Sequence, residues 1–190
     1  MNAIFTSSMK AKPQTTVAIP LHESEKWLDN VRANLEELQS VARIIVSDVT
    51  ERDDTLRILE SEFAGDPMIS FLGRRDVPRG WVAHCNDLKK RARTSFFMWL
   101  PHDDTVFSDW VIQGQEALKA NPKASIAVGA LRLTSPSGDE VLLPNADDGD
   151  PIRIQRLRKA LVRQFVTRHP GFGHSFRGIQ RQSSTTLLPE

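Results

Sequence analysis

This chain has almost no cysteine, no long apolar run and no excess of charge of either sign. A single cysteine, Cys85, excludes an intrachain disulfide and fits a reducing compartment. It reads as a small helical hydrophobe and not a nucleophile, since no sequence feature marks a partner base. No segment approaches the roughly 18 to 20 apolar residues that a membrane span requires, and the N-terminus has no signal-peptide hydrophobic region. The expectation is therefore a cytoplasmic protein without a transmembrane segment. The net charge is +1, which gives no overall argument for nucleic acid or a membrane surface as partner. There is no internal repeat, no low-complexity tract, no Gly-x-Gly-x-x-Gly after the first strand and no phosphate loop of the Gly-Lys-Ser/Thr type.

What is present is an alternation of short apolar runs with helical periodicity. With 190 residues the chain is long enough for one domain with a real core and short for two. Residues 1–14 are polar and read as a disordered N-terminus, followed by a single domain over 15–190. Thr16 to Pro20 reads as a buried strand stopped by proline. Trp27, Leu28, Val31, Leu35 and Leu38 then recur at helical spacing. Residues 42–47 form a second strand, followed by a helix with Leu56, Leu59 and Phe63 inward. Met68 to Leu72 is a third strand, and Trp81, Cys85, Leu88 and Ala92 mark the core side of a third helix. Ser95 to Leu100 is a fourth strand, holding Trp99 in the core. Ser108 is placed to cap a fourth helix that runs to Asn121. Residues 125–133 and 140–143 flank a Ser135 to Gly138 turn and read as a hairpin. An acidic loop over 145–150 precedes a fifth helix marked by Ile154, Leu157, Leu161 and Phe165, whose other face is basic. Strands alternating with helices predict an α/β protein, a three-layer α/β/α sandwich around a mostly parallel sheet.

In such sheets ligands bind beyond the carboxyl ends of the strands. Those ends carry Pro20, Leu21, His22 and Glu23, then Asp48, then His102, Asp103 and Asp104. The adjacent carboxylates of Asp103 and Asp104 are hard oxygen ligands suited to holding a divalent cation against a diphosphate, or they form a turn or helix-capping device. His102 is a ligand or phosphate contact, or an ordinary polar neighbour. Asp48 either accepts from a nucleobase N–H or caps the following helix. Arg74, Arg75 and Arg79 around Gly80 make a basic loop opening a helix, suited to anionic groups or simply solvated.

These residues carry a pattern similar to that of the family 2 glycosyltransferases, nucleotide-sugar enzymes of the GT-A fold. The family's opening Ile-Pro-Thr-Tyr-Asn-Glu resembles Ile19-Pro20-Leu21-His22-Glu23-Ser24, and its Glu-Lys-Tyr-Leu resembles Glu25-Lys26-Trp27-Leu28. Its second acidic element resembles Val46 to Thr55 with one extra residue. The third, Gly followed by Ala, Asn and Ala, resembles Gly80, Ala83, Asn86 and Ala92. The fourth, Phe-Leu-Asp-x-Asp-Asp, falls on Trp99 to Asp104. The resemblance implies a nucleotide-diphosphate-sugar donor, commonly a UDP-sugar, bound by the 15–105 half, and a glycan or small-molecule acceptor on the 106–190 half. It implies that Pro20, Leu21, His22, Glu23 and Asp48 hold the nucleoside, helped by Asp53 or Asp54. It places Arg79 and Gly80 at the pyrophosphate, His102 nearby, and Asp103 and Asp104 on ribose or on Mn²⁺ or Mg²⁺. It also implies direct displacement with inversion at the anomeric carbon, assisted by a carboxylate base.

Three departures bear on function. Pro101 replaces the first Asp of the fourth motif, Ser24 stands where the family has Glu, and Ser47 replaces the first Asp of the second motif. Residues His174 to Arg181 resemble the acceptor-side strand after which the family's acidic base motif follows. Here Glu190 ends the chain, so the acceptor half reads as shortened, with Asp147, Asp148 and Asp150 as substitute base candidates and no base assigned. The alternative is a degenerate, non-catalytic domain serving as a partner subunit. In that reading the cationic helix over 151–168 docks an acidic protein or anionic lipid. The sequence leaves the sugar, the acceptor and the oligomeric state open.

Overall fold

A computed structural model describes residues 13–51, 54–129, 131–134, 139–143 and 177–182. Residues 1–12 of the stretch expected to be disordered, Asp53, and the residues expected to form the acidic loop and a fifth helix lie outside them.

Strand β1 (Thr15–Leu21) is central and buried along its whole length. Its side chains alternate: Val17, Ile19 and Leu21 enter one core, and Ala18 enters the other. This is the period-2 pleat of a strand covered on both faces. A turn of 3-10 helix over Glu25–Trp27 leads into α1 (Leu28–Leu38), whose Val31, Leu35 and Leu38 join the first core. Strand β2 (Arg43–Asp48), α2 (Asp54–Glu62) and β3 (Ile69–Leu72) continue outward. Helix α3 (Trp81–Arg91) then returns the chain across the sheet to β4 (Phe96–Trp99), on the other side of β1. Parallel crossovers are right-handed, so reversing direction across the sheet moves the helix to the opposite face. Accordingly α1 and α2 pack on the first core, and Cys85, Leu88 and Ala92 of α3 pack with Phe97 and Trp99 on the second.

Helix α4 (Ser108–Ala120) packs Val111 and Leu118 on the first core. It leads to the short β5 (Ile126–Ala127). Strands β6 (Leu131–Thr134) and β7 (Glu140–Leu143) pair antiparallel as a separate two-stranded sheet; the run expected as one hairpin arm over 125–133 is divided, its Ile126–Ala127 part joining the main sheet. Strand β8 (Ile179–Arg181) runs antiparallel between β4 and β5. Among the described residues the main sheet is therefore six-stranded, in the order β3-β2-β1-β4-β8-β5, mostly parallel, with helices on both faces.

Several local expectations are revised. Pro20 does not stop β1; it pairs with Ser47 in β2. The β4 ladder on the other side ends at Ala18 opposite Trp99, with Leu100 donating to the Ala18 carbonyl. Residue 20 has the same orientation as Ala18, so its missing N–H faces a position where no strand follows. Trp81, expected in the core, opens α3 and is 50% exposed. Trp99 is buried as expected, its indole N–H donating to the Cys85 carbonyl at 3.1 Å. Ser108 does not cap α4; Phe107 holds that position, and the Ser108 N–H donates to the Glu37 carboxylate at 2.8 Å. A side chain from α1 thus satisfies a free helix-end donor that a local cap would otherwise take.

Candidate functional site: the cleft between β1 and β4

After β1 the chain departs towards β2 on one side, while β4 lies on the other. This is the switch point of an open α/β sheet, where the loops beyond two adjacent strands diverge and leave a crevice. A cavity of about 540 Å³ sits there, lined by His22, Glu23, Glu25, Lys26, Trp27, His102 and Asp103. Four residues expected from the sequence, His22, Glu23, His102 and Asp103, are brought together in it. Pro20 and Leu21 form the end of β1 beneath them.

Asp48 stands beside this cleft and is 1% exposed. Its carboxylate accepts from the Thr50 N–H at 2.7 Å and from the Thr50 hydroxyl. The Thr50 hydroxyl oxygen in turn accepts from the Glu23 N–H at 3.1 Å. This chain joins the β1 and β2 loops and holds Glu23 at φ 49, a left-handed conformation that costs free energy in a non-glycine residue. Asp48 is thus an Asx-turn residue that shapes the loop.

The loop after β4 is clamped from α1. Asn30 donates to the carbonyls of His102 and Asp104, each at 2.8 Å, and Asn34 donates to the Asp104 carbonyl at 2.8 Å. Asn34 also accepts from the Val106 N–H at 3.2 Å. Sequence reasoning missed both residues. The available signal was a pair of asparagines four apart on a helix whose neighbouring positions are apolar, where an unpaired amide would be costly.

With its backbone so held, the loop turns its two carboxylates to different surroundings. Asp103 is exposed and lines the cleft. Asp104 accepts from both Nε and Nη2 of Arg177, the residue just ahead of β8. The expected two-carboxylate cation site is therefore divided. Among the described residues no group of three or more His, Cys, Asp or Glu is placed to hold a metal ion. The donor set fits a cation held by the single carboxylate of Asp103 together with phosphate oxygens, a mode common for Mg²⁺.

His102 is half-buried, and its Nδ1 lies 2.5 Å from the Ser24 hydroxyl. Its ring stacks on Trp27 with centroids 6.1 Å apart and planes inclined by 25°. Burial holds its pKa below the ordinary histidine value, opposed by Asp103 and Asp48 and assisted by Lys26 and His22. Deeper, His84 of α3 is fully buried, with Nε2 at 2.8 Å from the Ser47 hydroxyl and its pKa lowered by burial.

The remaining expected residues lie elsewhere on the same sheet edge. Asp54 begins α2 and meets Arg57 at 3.3 Å. Gly80 is the N-cap of α3, and Arg79 before it is exposed. Neither Asp54 nor the Arg79-Gly80 pair lines the cleft. Both helix N-termini face the carboxyl edge of the sheet, where their free N–H groups favour anions.

The strand order and the switch-point cleft are those of an open, doubly wound α/β domain, and the comparisons with known proteins identify it as the GT-A fold. The chain belongs to glycosyl transferase family 2, whose model matches residues 16–186. No curated protein sequence matches it. Among solved structures it is similar to residues 1–349 of S. aureus TarS, with a TM-score of 0.61 and 16% identity over 90% of this chain and 47% of that one. The same protein in complex with UDP-GlcNAc gives a TM-score of 0.62 at 15% identity, covering 90% of this chain and 46% of that one. The mannosyltransferase PcManGT from Pyrobaculum calidifontis, in complex with GDP-Man and Mn²⁺, gives 0.50 at 18% identity over 61% of this chain and 35% of that one. This chain spans about half the length of the TarS chain it matches. Among the described residues no helix is long and apolar enough to cross a membrane.

Proposed function

We propose that this domain binds a nucleoside-diphosphate sugar, a UDP-sugar in the first instance, and transfers the sugar with inversion to a glycan or other hydroxyl acceptor. The observation that carries this reading is the cleft at the switch point, where His22, Glu23, His102 and Asp103 converge. Family membership and the fold support it. The β1 and β2 loops, joined through Glu23, Thr50 and Asp48, would hold the nucleoside. Asp53, outside the described residues, and Asp54 would contribute from the α2 end, and Arg79 with the Gly80 end of α3 would face the pyrophosphate. Asp103 would hold Mn²⁺ or Mg²⁺ with the diphosphate. A cation bound there supplies Lewis-acid stabilisation of the leaving group. Asp104 enters the cation site only by giving up Arg177. No catalytic base is assigned; Asp147, Asp148 and Asp150 lie outside the described residues. The buried single cysteine and a nucleotide-sugar donor fit a cytoplasmic role in building a glycan or polysaccharide.

A second reading, a non-catalytic domain of the same fold acting as a partner subunit, is favoured by Pro101 at the first acidic position and by the Arg177 pairing of Asp104. Thermal unfolding with UDP and Mn²⁺, separately and together, separates the two, since a ligand of the folded state raises its stability by mass action. Stabilisation that needs both ligands and is lost in Asp103→Ala supports the donor site. No shift in the wild type with any combination refutes a UDP-sugar donor and favours the partner-subunit reading.

A further inference from the structure

Ser24 stands where the family pattern has Glu, and its neighbours define what its hydroxyl does. The residue is 1% exposed, so the hydroxyl proton has no recourse to bulk water. A serine hydroxyl offers one proton and two lone pairs. One lone pair accepts the His22 N–H at 3.0 Å. The other partner is Nδ1 of His102 at 2.5 Å. If Nδ1 carried a hydrogen, in either the neutral or the charged ring, it would donate to Ser24 and leave the serine proton buried without an acceptor among the described residues. An unsatisfied buried donor is the costly alternative. The arrangement that satisfies both groups has Ser24 donating to a bare Nδ1, which puts the ring proton on Nε2. Trp27, stacked at 6.1 Å, limits the ring's rotation.

We propose that Ser24 is a positioning residue: its hydroxyl fixes His102 as the Nε2–H tautomer, so that His102 presents a hydrogen-bond donor to a phosphate oxygen of the nucleoside diphosphate. The second half rests on the donor-binding function proposed above. Both ring nitrogens are then committed, Nδ1 as acceptor from Ser24 and Nε2 as donor. His102 has no lone pair with which to take a proton from an acceptor hydroxyl, and its role is recognition of an oxygen acceptor. This also gives the departure from Glu a physical meaning. A carboxylate at position 24 would accept from Nδ1–H and invert the tautomer, turning the Nε2 edge from donor to acceptor.

The test is a long-range proton–nitrogen correlation spectrum of the ¹⁵N-labelled full chain, with the His102 signals assigned by their loss in His102→Asn. The wild type shows His102 with its proton on Nε2, and addition of UDP with diamagnetic Mg²⁺ shifts the Nε2 resonance. In Ser24→Ala, with backbone amide signals away from the cleft unchanged, the ring becomes a tautomer mixture. UDP binding weakens by about twofold, the factor by which an even mixture lowers the competent Nε2–H fraction. Ser24→Thr, which keeps the hydroxyl, restores the Nε2–H form and the affinity. A wild-type ring protonated on Nδ1, with UDP still bound, overturns the role of Ser24 and leaves the donor site standing. So does an unchanged tautomer in Ser24→Ala. Failure of the wild type to bind any nucleoside diphosphate refutes the donor site, and the phosphate contact with it.

Discussion

Breaking the Asp104 to Arg177 pair tests how the β8 segment is fastened to the site. Arg177 places Nε and Nη2 on one carboxylate, and the two side chains are 34% and 28% exposed. Fully exposed pairs contribute about 0 to 1 kcal/mol, and stripping one partner from a fully buried pair costs about 3 to 5 kcal/mol. A bidentate pair shielded over roughly two thirds of its surface falls between, so Asp104→Asn and Arg177→Gln should each lose about 1.5 to 2 kcal/mol. Their coupling in a double-mutant cycle should be about 1 kcal/mol. The fold should survive, because the Asn30 and Asn34 amides hold the Asp104 backbone. Arg181 also anchors β8 independently, donating to the carbonyls of Leu118 at 2.6 Å and Ala124 at 3.2 Å. For a chain of this size each single loss lowers Tm by about 3 to 8 °C. Urea unfolding of the four proteins at low salt and at 0.5 M NaCl measures the coupling, which salt should reduce only partly because the pair is mostly shielded. Asp103→Asn, at an exposed residue with no salt bridge among the described residues, is the control and should stay within about 0.5 kcal/mol of wild type. A coupling below about 0.3 kcal/mol, the scatter expected of independent sites, would refute the assignment of this pair as a fastening between β4 and β8.

Three other outcomes are expected. The folded-state pKa of His84 lies below its ordinary value through burial, so the unfolded chain protonates first as pH falls. Its contribution is complete above about pH 7.5 and is lost on acidification through about 6.5 towards the lower folded value, at up to about 1.4 kcal/mol per pH unit. His102 is shifted the same way, so His84→Gln should flatten the decline between pH 7 and 5 without abolishing it; an unchanged slope in denaturant titrations contradicts the assignment. Asn34→Ala leaves the buried Val106 N–H without its partner and should cost about 2 to 3 kcal/mol, read as a lower urea midpoint at constant m. A loss under 0.5 kcal/mol would mean that water takes over. Gly178→Ala would place a methyl 2.7 Å from the Ala127 carbonyl oxygen and 2.8 Å from Ile126, so overpacking of β8 against β5 should cost about 1 to 3 kcal/mol; unchanged thermal unfolding would show that the strands separate freely.

The elements were legible in the sequence wherever their cause is local. Val17, Ile19 and Leu21 alternate because each strand face meets a core, and Val31, Leu35 and Leu38 recur because one helix face does. Those two periods, with the strand and helix alternation, were enough to predict a mostly parallel sheet and to place the candidate residues at its carboxyl edge. The motif resemblance added the family and the fold. Tertiary structure decided what depends on partners far along the chain. Ser24 meets His102 across 78 positions, and Asp104 meets Arg177 across 73. Asp103 and Asp104 looked equivalent as neighbours, yet the clamp from Asn30 and Asn34 turns one to the cleft and the other to β8. Ser108 carries a capping residue's chemistry, but Glu37 satisfies its N–H from another helix. A local pattern records which face of an element is buried; it does not record which side chain, brought by a distant turn, supplies the last hydrogen bond. Periodicity therefore determined the scaffold, and long-range packing determined the charge and the donors of the site.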